Sequence, residues 1–248
     1  MIGVNLQTLP EICGHTFYLP TLGEGSVVVD LVASTAAFSA GVIEKSGAFS
    51  HCVEATPKNF DAIEESERLN KYFYAMGGQT GPVTLHIPND EFHWGSIDVP
   101  AGFEVAEKIE VPGLTLDGLF DELDLDKIDL LKIDIEGAEI NLFDSATDAT
   151  LAKCAQITVE FHDFMDPAQT PDVFRIRRRL EALGFATIVF TRRHHGDVLF
   201  VQPAKLGLSG LEILYIRTIV KFGRGLRRMM ARTFAAHETP ASKEGTAA

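Results

Sequence analysis

Short apolar runs alternate with stretches of helical periodicity along most of the chain. Runs rich in β-branched residues, such as Val27–Leu31, are typical of strands that are buried on both faces of a parallel sheet. The pattern predicts strands at residues 27–31, 49–53, 72–76, 83–87, 105–111, 128–134, 155–161, 185–191 and 198–202. It predicts helices at 36–45, 57–69, 115–123, 137–145, 172–183 and 211–232. We therefore expect an α/β fold with a doubly wound, mostly parallel seven-stranded sheet and a C-terminal amphipathic helix.

Composition narrows the class of protein without naming it. The 248 residues are 46% hydrophobic and 23% charged, which is ordinary for a globular protein and excludes disorder over most of the length. The net charge of −13 argues against nucleic acid as the partner, because phosphate binding needs clustered positive charge. Cys13, Cys52 and Cys154 are widely spaced, so we predict neither a disulfide framework nor a structural zinc site.

The start of the chain lacks a basic segment followed by an apolar run, and no stretch of 18 apolar residues occurs. We therefore expect a cytoplasmic protein without a transmembrane span.

One segment carries the opposite charge to the rest of the chain. Between residues 217 and 232 there are six basic residues and no acid. Most of these recur at helical spacing, and an apolar stripe lies on another face, at Tyr215, Ile219, Phe222, Leu226 and Met229. Two interpretations stay open: the apolar stripe packs on the core or a second subunit, or residues 211–232 lie on an anionic membrane surface, such as the inner membrane.

Acidic side chains follow the first two strands of the predicted sheet. Asp30 lies near the end of the first strand and Glu54 directly follows the second. Ligands of doubly wound sheets bind beyond the carboxyl ends of the strands, and an acid at the second strand suits a ribose diol. The two acids indicate a cofactor that contains a nucleoside, although each could instead serve only the local structure.

A denser cluster of ionisable residues follows two later strands. Lys132, Asp134 and Glu136 alternate onto one side of the chain at the end of one strand, and Glu160 and His162 do so at the end of the next. Three alternating ionisable residues are unusual in a strand unless they are paired or functional. We expect these side chains to converge, with a structural ion pair beside a capped helix as the alternative.

The motifs together resemble the FkbM family of S-adenosylmethionine-dependent O-methyltransferases. The segments that carry the resemblance occur in the family's order and cover about two thirds of the chain: VVVDLVASTAAFS (27–39), HCVEATPKNF (51–60), YAMGGQTGPVTLHI (74–87), TLDGLFDELDLDKIDLLKIDIEGAEINLFDSA (115–146) and ITVEFHDF (157–164). The resemblance implies a Rossmann-like methyltransferase domain at residues 1–208, followed by a basic helix and flexible tail at 209–248.

The first motif departs from the family pattern DxGANxGxFS. Val32, Ser34 and Ala36 stand where the family has Gly, Asn and Gly. Glycine in such a turn permits a positive φ and a close approach of the backbone to the cofactor. A non-catalytic binding or regulatory protein on the same fold is therefore the alternative to an enzyme.

The resemblance implies S-adenosylmethionine as cofactor and assigns roles by matching position. The implied cofactor-binding residues are Asp30, Ala33, Phe38, Ser39, Glu54 and Ala75. The implied catalytic residues are Asp134, His162 and Glu136, with His162 or Asp134 as general base. The implied acceptor is a hydroxyl of a sugar, glycan or polyketide-like small molecule. Asp134, Glu160 and His162 are residue types that bind metals, so a metal-assisted transferase is a third interpretation, but their spacing matches no specific metal motif and we predict no metal.

Overall fold

A computed structural model describes residues 4–88, 95–97, 105–191 and 194–223 of the chain. Its twelve strands in this part of the chain are β1 Glu11–Ile12, β2 His15–Thr16, β3 Val27–Leu31, β4 Phe49–Val53, β5 Leu69–Tyr72, β6 Ala75–Met76, β7 Gly81–Pro88, β8 Val105–Leu114, β9 Leu130–Ile133, β10 Gln156–Val159, β11 Ala186–Val189 and β12 Val198–Val201. Its α-helices are α1 Ala37–Ser46, α2 Pro57–Ala62, α3 Leu116–Glu122, α4 Glu139–Ser145, α5 Asp148–Lys153, α6 Thr170–Ala182, α7 Pro203–Leu206 and α8 Gly210–Tyr215. Short 3₁₀ turns lie at Leu19–Thr21 and Pro167–Gln169.

The predicted seven-stranded sheet is confirmed, with the order β11-β12-β10-β9-β3-β4-β5. The run from β10 to β5 is parallel, and β12 lies antiparallel between β10 and the edge strand β11. Strand order reverses between β3 and β9, so the carboxyl ends of these two strands flank the switch point at which ligands of doubly wound sheets bind. The site residues predicted at the ends of β3 and β9 therefore lie at this switch point, within residues 30–36 and 134–139.

The core explains why these segments become strands and helices. The β9 residues Leu130, Leu131 and Ile133 are completely buried, as a central strand covered on both faces requires. Leu131 and Ile133 join a continuous apolar cluster with the inward side chains of α3, α4 and α6, whereas Leu130 packs in a separate cluster with Phe38 and Val42 of α1. Helix α3 begins where predicted, because the Thr115 side chain accepts a hydrogen bond from Gly118 N at 3.1 Å.

Two predicted elements after β4 are wrong in extent. The helix expected at 57–69 ends at Ala62, and Leu69–Tyr72 instead forms the edge strand β5. Ile63, directly after the helix, is 2% exposed and packs in the core in an extended conformation. The strand expected at 72–76 is divided, because β6 leaves the main sheet.

The extended segments around 83–87 and 105–111 belong to a second, three-stranded sheet in the order β6-β8-β7. Strands β7 and β8 pair antiparallel over most of their length. The loop predicted between these two segments lies mostly outside the described residues.

The C-terminal segment packs on the core with a face other than the predicted apolar stripe. Ile213, Ile216 and Val220 are buried, whereas Ile219 and Phe222 of the predicted stripe are 59% and 72% exposed. A π-helical segment, Ile216–Val220, follows α8 and changes the number of residues per turn, so spacings of three and four residues no longer mark one face. The predicted residues beyond 223 lie outside the described part of the chain.

Candidate active site

The loop after β3 holds its backbone in the left-handed conformation that its glycine-poor sequence disfavours. The φ angles of Val32, Ser34 and Ala36 are 57°, 50° and 60°, at the three positions that depart from the family pattern. The turn is closed by hydrogen bonds from Ala33 N to Val53 O at 3.1 Å and from Ala36 N to Ala33 O at 2.7 Å. Each left-handed non-glycine residue costs about 1–2 kcal/mol, so contacts around the loop must hold it in place.

Glu54 supplies one of those contacts. Its two carboxylate oxygens accept hydrogen bonds from Ser34 N at 2.8 Å and Thr56 N at 2.7 Å, and its side chain is almost fully buried. Burial raises the pKa of Glu54, and the two backbone hydrogen bonds oppose that rise. In this structure the acid after β4 therefore fixes the neighbouring loop rather than facing solvent.

Lys132 supplies the other contact. Its Nζ donates hydrogen bonds to Leu31 O at 3.2 Å and Val32 O at 2.9 Å, and it lies 3.2 Å from Asp30 Oδ1 and 3.6 Å from Asp134 Oδ2. Burial alone would lower the pKa of Lys132, but the carboxylates of Asp30 and Asp134 raise it above its usual value. A protonated lysine therefore ties the loop to the acidic cluster.

The side chains of the six residues predicted to bind cofactor lie beneath the surface, and Ala75 belongs to the second sheet rather than to the β3 loop region. Asp30 accepts a hydrogen bond from Ser39 Oγ at 2.8 Å, and the Phe38 ring packs edge-on against His15. All six are buried, with exposed fractions from 0% to 5%: Asp30, Ala33, Phe38, Ser39, Glu54 and Ala75. The side chains of this loop that reach the surface are those of Ser34 and Thr35, with Val32 half-buried.

The cluster predicted after β9 and β10 also forms. The Nδ1 and Nε2 atoms of His162 lie 3.0 Å from Glu139 Oε1 and 3.2 Å from Glu136 Oε2, and Nε2 lies 4.0 Å from Asp134 Oδ1. Because ionised carboxylates only accept hydrogen bonds, both ring nitrogens act as donors and the ring is an imidazolium. Burial alone would lower the pKa of His162, but the bonds to Glu136 and Glu139 raise it to about 11.

Glu139 explains how the chain turns sharply between β9 and α4. Its Oε1 accepts hydrogen bonds from Ile135 N at 3.2 Å and Gly137 N at 3.1 Å, while Glu136 and Gly137 take φ angles of 53° and 101°. This turn leaves the side chains of Asp134 and Glu136 each 23% exposed. Two carboxylates therefore reach solvent beside a buried imidazolium.

Two further residues, His15 and Glu160, lie beside Asp134 and Glu136, and we call these four residues the acidic edge. His15, on the N-terminal hairpin, is fully buried with Nε2 3.3 Å from Asp134 Oδ2, a contact that no local sequence pattern predicts. Glu160 was grouped with the cluster from its position after β10 but was given no catalytic role. Burial and the neighbouring Asp134 carboxylate raise the pKa of Glu160 to about 6, whereas Lys132 and His15 hold the pKa of Asp134 well below its usual range against the effect of burial.

Exposed apolar side chains border this edge. The Phe164 ring lies 5.4 Å from the ring of His162 and 5.2 Å from that of His194, and it is 44% exposed. Met165 and Phe174 are exposed on the same rim, and Phe174 contacts His195. The arrangement suits a ligand with an apolar face and a polar group that reaches the carboxylates.

A doubly wound sheet with charged side chains at its switch point defines a class of α/β protein that binds ligands beyond the carboxyl ends of its strands. Comparison with known families narrows that class: the family described as Methyltransferase FkbM domain matches residues 30–187. The chain therefore belongs to the FkbM methyltransferase family.

Individual relatives match parts of this chain. The AMB antimetabolite synthetase AmbE of Pseudomonas aeruginosa is 49% identical over 91 residues, which are 37% of this chain and 4% of AmbE. A solved FkbM methyltransferase from Methylobacillus flagellatus KT aligns with 73% of this chain and 44% of its own length, at 14% identity and a TM-score of 0.46. A precorrin-6y C5,15-methyltransferase from Geobacter metallireducens GS-15 aligns with 74% of this chain and 81% of its own length, at 12% identity and a TM-score of 0.38.

Proposed function

We propose that this protein is an S-adenosylmethionine-dependent O-methyltransferase that methylates a hydroxyl group of a small molecule, such as a sugar, glycan or polyketide-like compound. The observation that carries the proposal is the junction of the β3 loop and the Asp134 cluster at the sheet's switch point, bridged by Lys132. The match to part of AmbE, an antimetabolite synthetase, favours a small-molecule acceptor over a macromolecule.

The charge of the site suits the cofactor. S-adenosylmethionine carries a sulfonium cation, and the carboxylates of Asp134 and Glu136 are partly exposed at the acidic edge. The β3 loop keeps its left-handed backbone without glycine, so Val32 and Ser34 would contact the cofactor while Lys132 and Glu54 hold the loop from below. When bound, the cofactor would supply an activated methyl group to the acceptor oxygen, with the sulfur as leaving group that keeps the electron pair of the carbon–sulfur bond.

The residues of this chain then have to orient the acceptor hydroxyl and take its proton. Both nitrogens of His162 already donate to carboxylates, so this ring has no free lone pair for a proton. Of the two general bases named from the sequence, Asp134 is therefore the one that we propose. Its low pKa does not prevent this role, because the acceptor hydroxyl becomes strongly acidic as its oxygen bonds to the methyl carbon, and Asp134 Oδ1 receives the proton at that stage. His162 is a positioning residue that fixes Glu136 and Glu139, and Phe164 offers the acceptor an apolar contact.

One experiment distinguishes a protein that transfers a methyl group from one that only binds the cofactor. The purified full chain is incubated with isotopically methyl-labelled S-adenosylmethionine and a panel of sugars, lipid-linked glycans and hydroxylated polyketides. Labelled product from the unmodified protein, lost in Asp134→Asn, supports the proposal. Cofactor binding with no labelled product from any acceptor favours the non-catalytic alternative.

The exposed apolar face after residue 210 favours a second proposal, contact with an anionic membrane. Four large side chains on it are 57–72% exposed: Leu211, Leu214, Ile219 and Phe222. No acid occurs between Glu212 and Glu238, and six basic residues lie in that interval. Apolar side chains beside a basic, acid-free segment are complementary to anionic lipid. No helix in the described part of the chain is long and apolar enough to cross a membrane.

A further inference from the structure

The N-terminal hairpin brings a histidine into the acidic edge from 119 residues away. His15 lies on β2, and its neighbour Thr16 anchors the hairpin through hydrogen bonds to Asp197, from N at 3.1 Å and from Oγ1 at 2.8 Å. His15 is 0% exposed, and its Nε2 faces Asp134 Oδ2 at 3.3 Å. Its Nδ1 is buried and has no hydrogen-bond partner among the described residues. The contact between Nε2 and Asp134 therefore orients the ring, and it points into the acidic cluster.

His15, Asp134 and Glu160 bring three potential metal ligands close together. Each offers one ligand atom, and the three atoms lie within 4.8 Å of one another. Metal–ligand bonds of about 2.0–2.2 Å place neighbouring ligand atoms about 3–3.5 Å apart, close to the 3.3 Å between His15 and Asp134. Asp134, Glu136 and His162 form an overlapping group, but His162 already binds two carboxylates.

The distribution of charge favours a cation at the first of these groups. Lys132 lies between Asp30 and Asp134, and the His162 imidazolium lies between Glu136 and Glu139, so two cations are shared among four carboxylates. Glu160 adds a fifth carboxylate, with an oxygen within 4.8 Å of the Asp134 oxygen, so the carboxylates of the cluster outnumber its cations and repel each other. A divalent cation would relieve that repulsion and use the imidazole of His15 as a neutral ligand.

We propose that His15, Asp134 and Glu160 bind one divalent cation of the Mn²⁺ and Fe²⁺ type, for which a mixed imidazole and carboxylate ligand set is typical. Three protein ligands leave coordination positions open for water or for the acceptor oxygen. The proposal replaces the expectation of no metal, which rested on residues 134, 160 and 162 without His15. Binding of the cation stands on its own, and only its role toward the acceptor rests on the proposed methyltransferase function.

Mn²⁺ is the probe for the test, because free Mn²⁺ has an electron paramagnetic resonance signal that decreases on binding. The full chain is treated with chelator, dialysed and titrated with Mn²⁺. We expect saturation at one ion per chain, and a dissociation constant at least tenfold higher in His15→Ala and in Glu160→Gln. His51→Ala is the matched control, since His51 is a half-buried histidine that contacts Tyr72 and should leave binding unchanged.

Two results would overturn the metal site: no bound Mn²⁺ at millimolar concentration, or equal binding by the unmodified protein and both site variants. Circular dichroism and thermal unfolding of each variant confirm that it is folded before its titration is compared. Methyl transfer measured separately, with and without chelator, keeps the two proposals apart. Transfer that survives chelation in a chain that binds no Mn²⁺ rejects the metal and leaves the methyltransferase.

Discussion

The Nζ atom of Lys132 lies 3.2 Å from Oδ1 of Asp30, its register partner on the adjacent strand, and both side chains are buried. The same ammonium donates to the carbonyls of Leu31 and Val32. One buried cation thus joins the two central strands to the strained loop at the switch point. The fold and the proposed cofactor site consequently depend on the same side chain.

Removal of that charge should destabilise the protein strongly. Lys132→Met leaves Asp30 buried without its partner, and breaking a buried ion pair in this way costs about 3–5 kcal/mol. Lys127→Met is the control, because Lys127 pairs with Asp129 at 2.9 Å but is 59% exposed, and should cost less than about 1 kcal/mol. Urea denaturation measures both, and a Lys132→Met protein as stable as the parent would show that the pair does not hold the fold.

The left-handed loop predicts opposite effects of glycine at two alanines four residues apart. Ala36 has φ 60° at the start of α1, whereas Ala40 lies within the right-handed helix. Ala40→Gly should lower the free energy of unfolding by about 1 kcal/mol. Ala36→Gly relieves left-handed strain of similar size and should raise the free energy of unfolding, so the two variants should differ by about 2 kcal/mol. Equal losses in the two variants, measured by chemical denaturation, would contradict the conformation described for the loop.

The assignment of Asp134 as proton acceptor predicts that its substitution lowers turnover without weakening the binding of the cofactor. Asp134→Asn should reduce methyl transfer by about 10²–10⁴-fold at saturating cofactor. Asp144→Asn, at an exposed carboxylate paired with Arg175 on the surface, should leave the rate unchanged. Rate measurements beside calorimetric binding of S-adenosylhomocysteine separate the two effects, and full activity in Asp134→Asn would reject this assignment.

The apolar face after residue 210 predicts membrane binding that depends on both charge and hydrophobic side chains. The full chain should float with vesicles that contain phosphatidylglycerol and phosphatidylcholine, and not with phosphatidylcholine alone. Leu211→Ser with Phe222→Ser should abolish flotation, because both side chains are 72% exposed and contribute to no core. Phe174→Ser, which removes an exposed aromatic ring at the site rim, is the control; equal flotation of all three proteins would exclude this surface.

The sheet could be predicted from the sequence because buried parallel strands leave a local signature. Val27–Leu31 and Phe49–Val53 are found with the predicted bounds, and the ionisable residues after β9 and β10 converge as alternation and strand order require. The helix expected at 57–69 was overextended, because its acidic stretch resembles a helix while Leu69–Tyr72 is fixed by pairing with β4. Such pairing is a tertiary effect that a local pattern does not contain.

Two features of the site lay beyond sequence reasoning for the same reason. His15 reaches Asp134 from an N-terminal hairpin that Asp197 anchors through Thr16, a contact across 181 residues. The sequence shows that the β3 loop departs from the family pattern, but it does not show that the loop keeps a left-handed backbone. Glu54 and Lys132, which come from other strands, retain the left-handed backbone that Val32, Ser34 and Ala36 disfavour by themselves.

Isothermal titration of the full chain with S-adenosylmethionine and with S-adenosylhomocysteine tests the central claim most directly, because it needs no knowledge of the acceptor. The left-handed backbone that the β3 loop keeps and the carboxylates of the acidic edge predict saturable binding of both ligands at one molecule per chain. Binding should weaken in Lys132→Met preparations that remain folded. No heat from either ligand at millimolar concentration would contradict the account.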